Sequence, residues 1–474
     1  MEMERVLEIG RTKDDIEDDG HQREGTVWTA TAHCITAVIG SGILALSWSV
    51  AQLGWVVGPI ALLVFAAITY YASTLLADCY RSPHPVTGSR NRTYMDAVRS
   101  YLGPKDVLMC ALVQYANLWG AMISYTITAS ISMMSVSRSN CYHKHGRSAR
   151  CATSGNLFMV MFGASEIILS QLPNMEKIAW LSVVSATMSL AYSVISLCLC
   201  LGKWIGYHGD VQGTLFGTMG SHQDGVPPAI KTWNAFQALG NIAFAYTFAE
   251  VMIEIEQDTV KAPPSENVTM KKANLYGIGT TTIFYLSIGC VGYAAFGNTA
   301  PGNILTGFYE PFWLVELAHI CIVIHLVGAY QVFAQPIFAV IEKKIVSKWP
   351  EATFIHNVYT VRVPFSKGGC LSFNLSKLIL RTILIVFTTL VSMLLPFFNA
   401  IMGLLGASSF WALTVYVPMS MSIVQRKIQR GTSRWIMLQT LSVFCFFISL
   451  VAGIGSVAGI IDSLRGAKPF HIQY

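Results

Sequence analysis

The stretch VIGSGIL, Val38 to Leu44, sets two glycines around a serine inside a long apolar run. Glycine in a helix interior costs about 1 kcal/mol relative to alanine. A second weak stretch, GNIAFAYTF from Gly240 to Phe248, begins with Gly240 and Asn241 and continues with aromatics and a threonine. In lipid every backbone N–H and C=O needs an internal partner, so a helix break is tolerated only where protein buries it or a wet cavity receives it. Small residues also serve plain close packing between helices. The sharper reading is a pair of broken helices. The half-helix after a break aims free N–H groups and about half a positive charge at the cavity, which suits an anion. A substrate carboxylate would then meet the N–H groups around Gly40, Ser41 and Gly42. Its ammonium would meet carbonyls released near Ile39 and Ala243. Its side chain would face Tyr246 and Phe248.

Titratable residues inside apolar runs are the next candidates. Each costs about 2.5–3.5 kcal/mol at a helix centre, so its default reading is functional. His33 lies about two turns before the first break. Glu250 and Glu254 are spaced i,i+4 after the second, and Glu256 is expected to be solvated. Glu166 sits inside another apolar run. Glu316 and His319 read either as a solvated rim pair or as part of a site. His325 lies deeper in the same run, and a histidine that titrates near pH 6.5 suits proton coupling. Glu250 is the rival proton carrier if it faces the cavity. The alternative for it is a solvated residue paired with a loop lysine.

The elements that must carry these residues follow from composition. The chain has 474 residues, 53% hydrophobic and 12% charged. Soluble domains carry about 25% charged residues, so the reading is an all-α membrane protein. Eleven spans of roughly 20 apolar residues are expected at 27–53, 56–79, 106–136, 155–171, 178–201, 232–256, 274–296, 312–341, 377–396, 398–424 and 435–460. The two weak stretches then fall in spans one and six, as a 5+5 inverted repeat requires. With a cytosolic N-terminus, 23 of the 32 Lys and Arg fall on inner segments and 8 on outer ones. That bias sets the orientation and puts the C-terminus outside.

The organisation reads as an acidic, disordered cytosolic tail (1–24), a five-helix repeat (25–201), an outer loop (202–231), a second repeat (232–424), and an eleventh helix with a short outer tail (425–474). TYMDAVRSYLG in the inner loop has the spacing of an amphipathic helix. Sequons at Asn91, Asn267 and Asn374 all fall on cytosolic loops, where they stay unglycosylated. Cys141 and Cys151 share one outer loop. An oxidising exterior lets them pair, against the alternative of two free thiols. Most of the eleven cysteines read as small buried hydrophobes. There is no Ser-His-Asp spacing, no HExxH cluster and no phosphate loop. No enzyme activity, cofactor, metal or nucleic-acid partner is therefore expected, and the sequence sets no oligomeric state.

The segment GTVWTATAHCITAVIGSGILALSWSVAQLGW resembles the first span of the plant amino acid permeases, in the amino acid/auxin permease family. GCVGYAAFGNTAPGNILTGF, IVIHLVGAYQVFAQPIFAVIEK and VSMLLPFFNAIMGLLGASSFWALTVYVP are similar to later parts of the same family. The resemblance runs from about Gly25 to the C-terminus. It implies eleven spans on the broken-helix (APC/LeuT-like) transporter fold. It also implies proton-driven import of neutral and acidic amino acids across the plasma membrane, with His33 and His325 matching the family's histidines. Two departures stand out. Asn241 replaces an aspartate usual in the family, and Glu250 appears where small or aliphatic residues are usual. The proton site has moved, or coupling is weakened. An amino acid sensor of the same fold, and a carrier of another weak acid such as auxin, are the competing readings.

Overall fold

The structure, a computed structural model, describes residues 25–146, 151, 154–171, 179–206, 208–220, 227–260, 262–352, 354, 357–362 and 370–466. The acidic tail read at 1–24 lies outside the described residues. Among them, the architecture is helical, with two short antiparallel hairpins, Arg81–Ser82 with Ser89–Arg90 and Val358–Arg362 with Cys370–Asn374.

Nine helices among the described residues are long and apolar enough to cross a membrane. The expectation of eleven differs from that count for two physical reasons. The first two spans join in one run, Ser41–Asp78, that turns at Gly54 with φ +81. Gly155–Ser170 has only 16 residues, below the roughly 20 needed to span the hydrocarbon untilted.

The first break is built locally. Helix α1, Val27–Val38, starts on a capping box between Thr26 and Thr29, whose side chains take each other's backbone N–H groups. It stops at Ile39. Gly40 is extended, and a tight 3-10 turn, Ser41–Ala45, leads into α2, Leu46–Asp78. The kink at Gly54 frees the N–H groups of Trp55 and Val56. These donate to Thr214 O (3.3 Å) and Leu215 O (3.2 Å) in the segment after α6, Ala179–Gly206. The expected outer loop is thus a packed plug for the α2 bend.

The second break separates α7, Pro228–Ala245, from α8, Ala249–Thr259. Helix α9, Glu266–Phe296, packs along both α1 and α2. Helix α10, Phe312–Lys348, packs against α6 and against a long helix, Pro104–His145. Helix α7 crosses Phe398–Ser409 at contact between backbones, since a Cβ on Gly406 would stand 2.0 Å from Gly240 O. Such approach is the usual means of helix association in lipid. The tenth span then loosens into a π-helical stretch, Phe410–Tyr416. The predicted amphipathic helix forms at Tyr94–Tyr101, and Tyr94 donates its hydroxyl to Leu413 O in that stretch over 2.6 Å.

The three sequon asparagines all do structural work. Asn91 donates to Cys79 O, Asn267 donates to Asp78, and Asn374 accepts from the Ser376 and Lys377 N–H groups as a helix cap. Cys141 is bonded to Cys151. Mass spectrometry of unreduced protein is expected to yield one peptide joined across these two cysteines. Alkylation of both thiols in intact cells would refute that bond.

Candidate functional site

The two breaks face each other. At the first, bonding in the 3-10 turn starts with Ile43 N–H to Gly40 O at 3.3 Å. The N–H groups of Ser41 and Gly42 are left without backbone partners, as at any helix start. An added Cβ on Gly42 would lie 3.1 Å from Ala245 Cα and 3.4 Å from Phe244, so this glycine lets the first break rest on the second. At Gly40 an added Cβ meets nothing within 4 Å. The open side of the first break is therefore at Gly40.

One hydroxyl links both breaks. Tyr285, on α9, donates to Val38 O at 2.6 Å and lies 3.2 Å from Ala245 O. The first is a carbonyl at the end of α1 that also accepts from Gly40 N–H at 3.0 Å, and the second is the last carbonyl of α7. Its ring meets the Tyr246 ring edge-on at 5.3 Å, and Tyr246 OH reaches Thr282 at 3.3 Å. Sequence reasoning placed the released carbonyls at Ile39 and Ala243. The structure corrects the second, because Ala243 O already accepts from Tyr246 N–H (3.1 Å) and the Thr247 hydroxyl (2.9 Å). Ile39, Ser41, Gly42, Tyr246 and Phe248 are buried together around the junction.

A cavity of about 580 Å³ opens at the end of the bundle that carries Cys141. Trp48 on α2, Ser135 and Arg138 on Pro104–His145, Asn234 and Gln237 on α7, and Asp462 line it. It stops short of the breaks and is a vestibule above them. Asn241 lies one turn beyond Gln237 on the same face of α7, toward the break. It is fully buried, and neither its amide oxygen nor its nitrogen has a partner. An orphaned buried polar group costs about 1–3 kcal/mol.

The opposite end is closed by charge. Asp78, 4% exposed, accepts from Lys271, Asn267 and Arg426. Glu266 takes Arg81 at 2.6 Å and Arg90 at 3.0 Å. Gln425 donates to Asp78 O at 2.6 Å. These contacts tie the ends of α2, α9 and Val417–Gln425 to the loop between α2 and Tyr94–Tyr101. Two buried acids are each held by two cations, of which Lys271 and Arg426 reach partly into the open, so neither buried carboxylate is left unpaired.

The titratable candidates do not gather at one point. His33 is exposed on α1, away from the junction. It points outward because Ala30, Thr31, Cys34 and Val38 form the buried face of that helix. His325 is buried between α10 and α6. Its Nδ1 lies 2.9 Å from Ser185 O, the Ser185 hydroxyl donates to His325 O at 2.8 Å, and Tyr192 meets its ring edge-on. A carbonyl only accepts, so Nδ1 carries the proton. His325 does not line the vestibule. His319 is buried rather than at a rim, and neither ring nitrogen has a partner among the described residues. Glu256 is fully buried rather than solvated. Glu250 is buried and accepts from Asn117 at 2.8 Å, which replaces the lysine pairing considered for it. Glu166 accepts from Gln331 at 2.6 Å. Tyr285 and Asn117 were passed over in the sequence because neither is charged near neutral pH. Their signal was a hydrogen-bonding side chain inside an apolar run.

Residues 23–462 match the model of the family described as transmembrane amino acid transporter protein. The chain belongs to that family. It is 54% identical to amino acid permease 6 of Arabidopsis thaliana over 468 residues, covering 98% of this chain and 96% of that one. It is 51% identical to amino acid permease 1 of the same plant over 465 residues, covering 98% and 95%. A crystal structure of MhsT in complex with L-phenylalanine aligns with a TM-score of 0.54 at 12% identity, over 92% of this chain and 99% of that one. The shared fold is the all-α, broken-helix, LeuT-like architecture expected from the paired weak points. These relatives are permeases, not enzymes.

Gly42→Val is expected to abolish uptake while the protein still reaches the membrane, because the added methyls force the two breaks apart. Tyr285→Phe deletes one hydroxyl shared by both breaks. A hydrogen bond is worth about 1 kcal/mol net, so uptake at limiting substrate is expected to fall roughly fivefold. Normal uptake by Gly42→Val would sink the account of the junction.

Proposed function

We propose that this chain is a multi-pass symporter that imports amino acids, neutral and acidic, across the plasma membrane with protons. The single observation that carries the reading is the junction of two helix breaks under Tyr285. The free N–H groups of Ser41 and Gly42 suit the carboxylate shared by every amino acid. Gly40 leaves room beside them. Released carbonyls near Ile39 and the orphaned amide of Asn241 supply polar partners for the ammonium end. Tyr246 and Phe248 bound the side-chain space. Relatives named amino acid permeases support the cargo class. The chain is read with its N-terminus and its Asp78 end in the cytosol, and with its vestibule outside. In that state substrate enters from outside while the inner charge network blocks exit.

The histidines take different parts from those the resemblance implies. His325 is a positioning residue that pins α10 to α6 through Ser185. His33 faces away from the path. His325→Ala is expected to lower uptake without moving its pH midpoint. His33→Ala is expected to change uptake by no more than about twofold, the range of a surface substitution.

The decisive test is uptake of labelled alanine and glutamate by cells lacking their own permeases, with and without an inward proton gradient. Accumulation that collapses with the gradient is the expected result. Binding without flux would favour a sensor, and transport of auxin in place of both amino acids would replace the cargo.

A further inference from the structure

Glu250 and Asn117 form a half-finished pair. Asn117 Nδ2 donates to Glu250 Oε1 at 2.8 Å. Glu250 Oε2 and Asn117 Oδ1 have no partner among the described residues. Glu250 is 5% exposed and Asn117 3%. Both leftover atoms are acceptors only while Glu250 is a carboxylate. One proton on Oε2 changes that. It makes Oε2 a donor. The nearest acceptor by connectivity is Asn117 Oδ1, on the amide already bonded to Oε1, so one proton on Oε2 offers a partner to both orphans.

Among the described residues, the groups seen to interact electrostatically with Glu250 carry no positive charge. The groups within electrostatic reach of Glu250 are Glu254 on its own half-helix, Tyr94 on Tyr94–Tyr101, and Cys110 and Tyr125 on Pro104–His145. None is a cation. Helices α1, α2 and α9 and the π-helical stretch also pack on α8. The charges of α2 and α9 there, Asp78, Glu266 and Lys271, interact with Glu256 further along. His33 of α1 is exposed, and Tyr416 of the π-helical stretch bonds Asp106. A bare buried charge costs several kcal/mol, whereas a proton removes it.

We propose that Glu250, clamped by Asn117, is a proton-binding site of this transporter, occupied while the Asp78 end is closed. The proposal rests on the symport reading and names the group that holds the coupled proton. The site lies on the half-helix between the second break and the inner charge network. A conformational change that opens the Asp78 end must move α8, hydrate Glu250 and let its proton leave inward. Glu166 repeats the chemistry in a different setting. Gln331 Nε2 bonds Glu166 Oε2, while Glu166 Oε1 and Gln331 Oε1 stay unpartnered. That pair joins Gly155–Ser170 to α10, away from both breaks. It lies outside the junction and provides the control.

The test uses the full chain in lipid vesicles, with a mixture of radiolabelled amino acids and an imposed inward proton gradient. Glu250→Gln keeps the pairing with Asn117 but fixes it neutral. It is expected to lose gradient-driven accumulation while exchange of preloaded label stays within about twofold of the parent. Glu166→Gln is expected to keep accumulation. Infrared difference spectra of the parent are expected to contain a protonated carboxyl band that Glu250→Gln lacks. Asn117→Leu is expected to move the pH midpoint of uptake by about one unit, the effect of one lost charged hydrogen bond. It carries the test if Glu250→Gln fails to reach the membrane. Accumulation that survives in Glu250→Gln, or a midpoint unmoved in Asn117→Leu, overturns the proposal alone. Parent uptake indifferent to the gradient overturns the symport reading and this proposal with it.

Discussion

Every break in a membrane helix releases backbone groups that lipid cannot satisfy, and the arrangement of this protein turns on how two breaks share that burden. Tyr285 touches a carbonyl from each. Gly42 lets the second break sit against the first with no side chain between them. The donors of Ser41 and Gly42 remain. The one proton of the Tyr285 hydroxyl serves one carbonyl at a time, so the junction keeps carbonyl acceptors for an ammonium beside the N–H donors that suit a carboxylate. Helix α9 supplies the tyrosine, so the packing of α9 along α1 and α2 is what keeps the site assembled.

The two ends of the bundle differ in how they exclude water. The Cys141 end is held open around Trp48, Arg138 and Gln237. The Asp78 end is shut by cations set around two buried acids. Asn267 and Gln425 complete that seal with neutral hydrogen bonds. An ion-pair seal suits a door that must reopen, because each charge regains hydration when the pair parts. An apolar seal would expose bare hydrocarbon instead.

Much of this was legible in the sequence. Gly40, Ser41 and Gly42 announced the first break, because backbone cost in lipid shows directly as residue type. The stretch from Gly240 to Phe248 contained the second, but Gly240 and Asn241 lie inside α7, where Gly240 serves close packing against Gly403, and the chain breaks at Tyr246–Phe248. The spans followed from apolar length: the boundary expected between 53 and 56 brackets the turn at Gly54, whereas Gly155–Ser170 is too short to count as a span by length. What stayed hidden was direction. Helical phase did not reveal that His33 faces outward, since the residues flanking it are as apolar as those on the packed face. Nor did it place His319 and Glu256 inside. A lone charge near a span end reads as solvated until a neighbouring helix covers it. Asn117 was hidden because its importance lies in the carboxyl it meets, 133 residues away in the chain.

The pairing of an orphaned Asn241 with a buried Glu250 gives the two departures from the family pattern a common physical sense. Both residues sit on the sixth span, one on each side of the break. An amide at 241 cannot hold a proton that comes and goes, so a neutral side chain there removes charge from the substrate's approach. A carboxyl at 250 can hold one, and Asn117 Oδ1 offers its protonated form an acceptor. The proposed proton site therefore stands on the sealed side of the junction, across the break from position 241. A proton bound there is out of reach of the vestibule while the Asp78 end is shut. In the proposed cycle its loading and its release both depend on motion of α8, the half-helix that must also move for the substrate to leave.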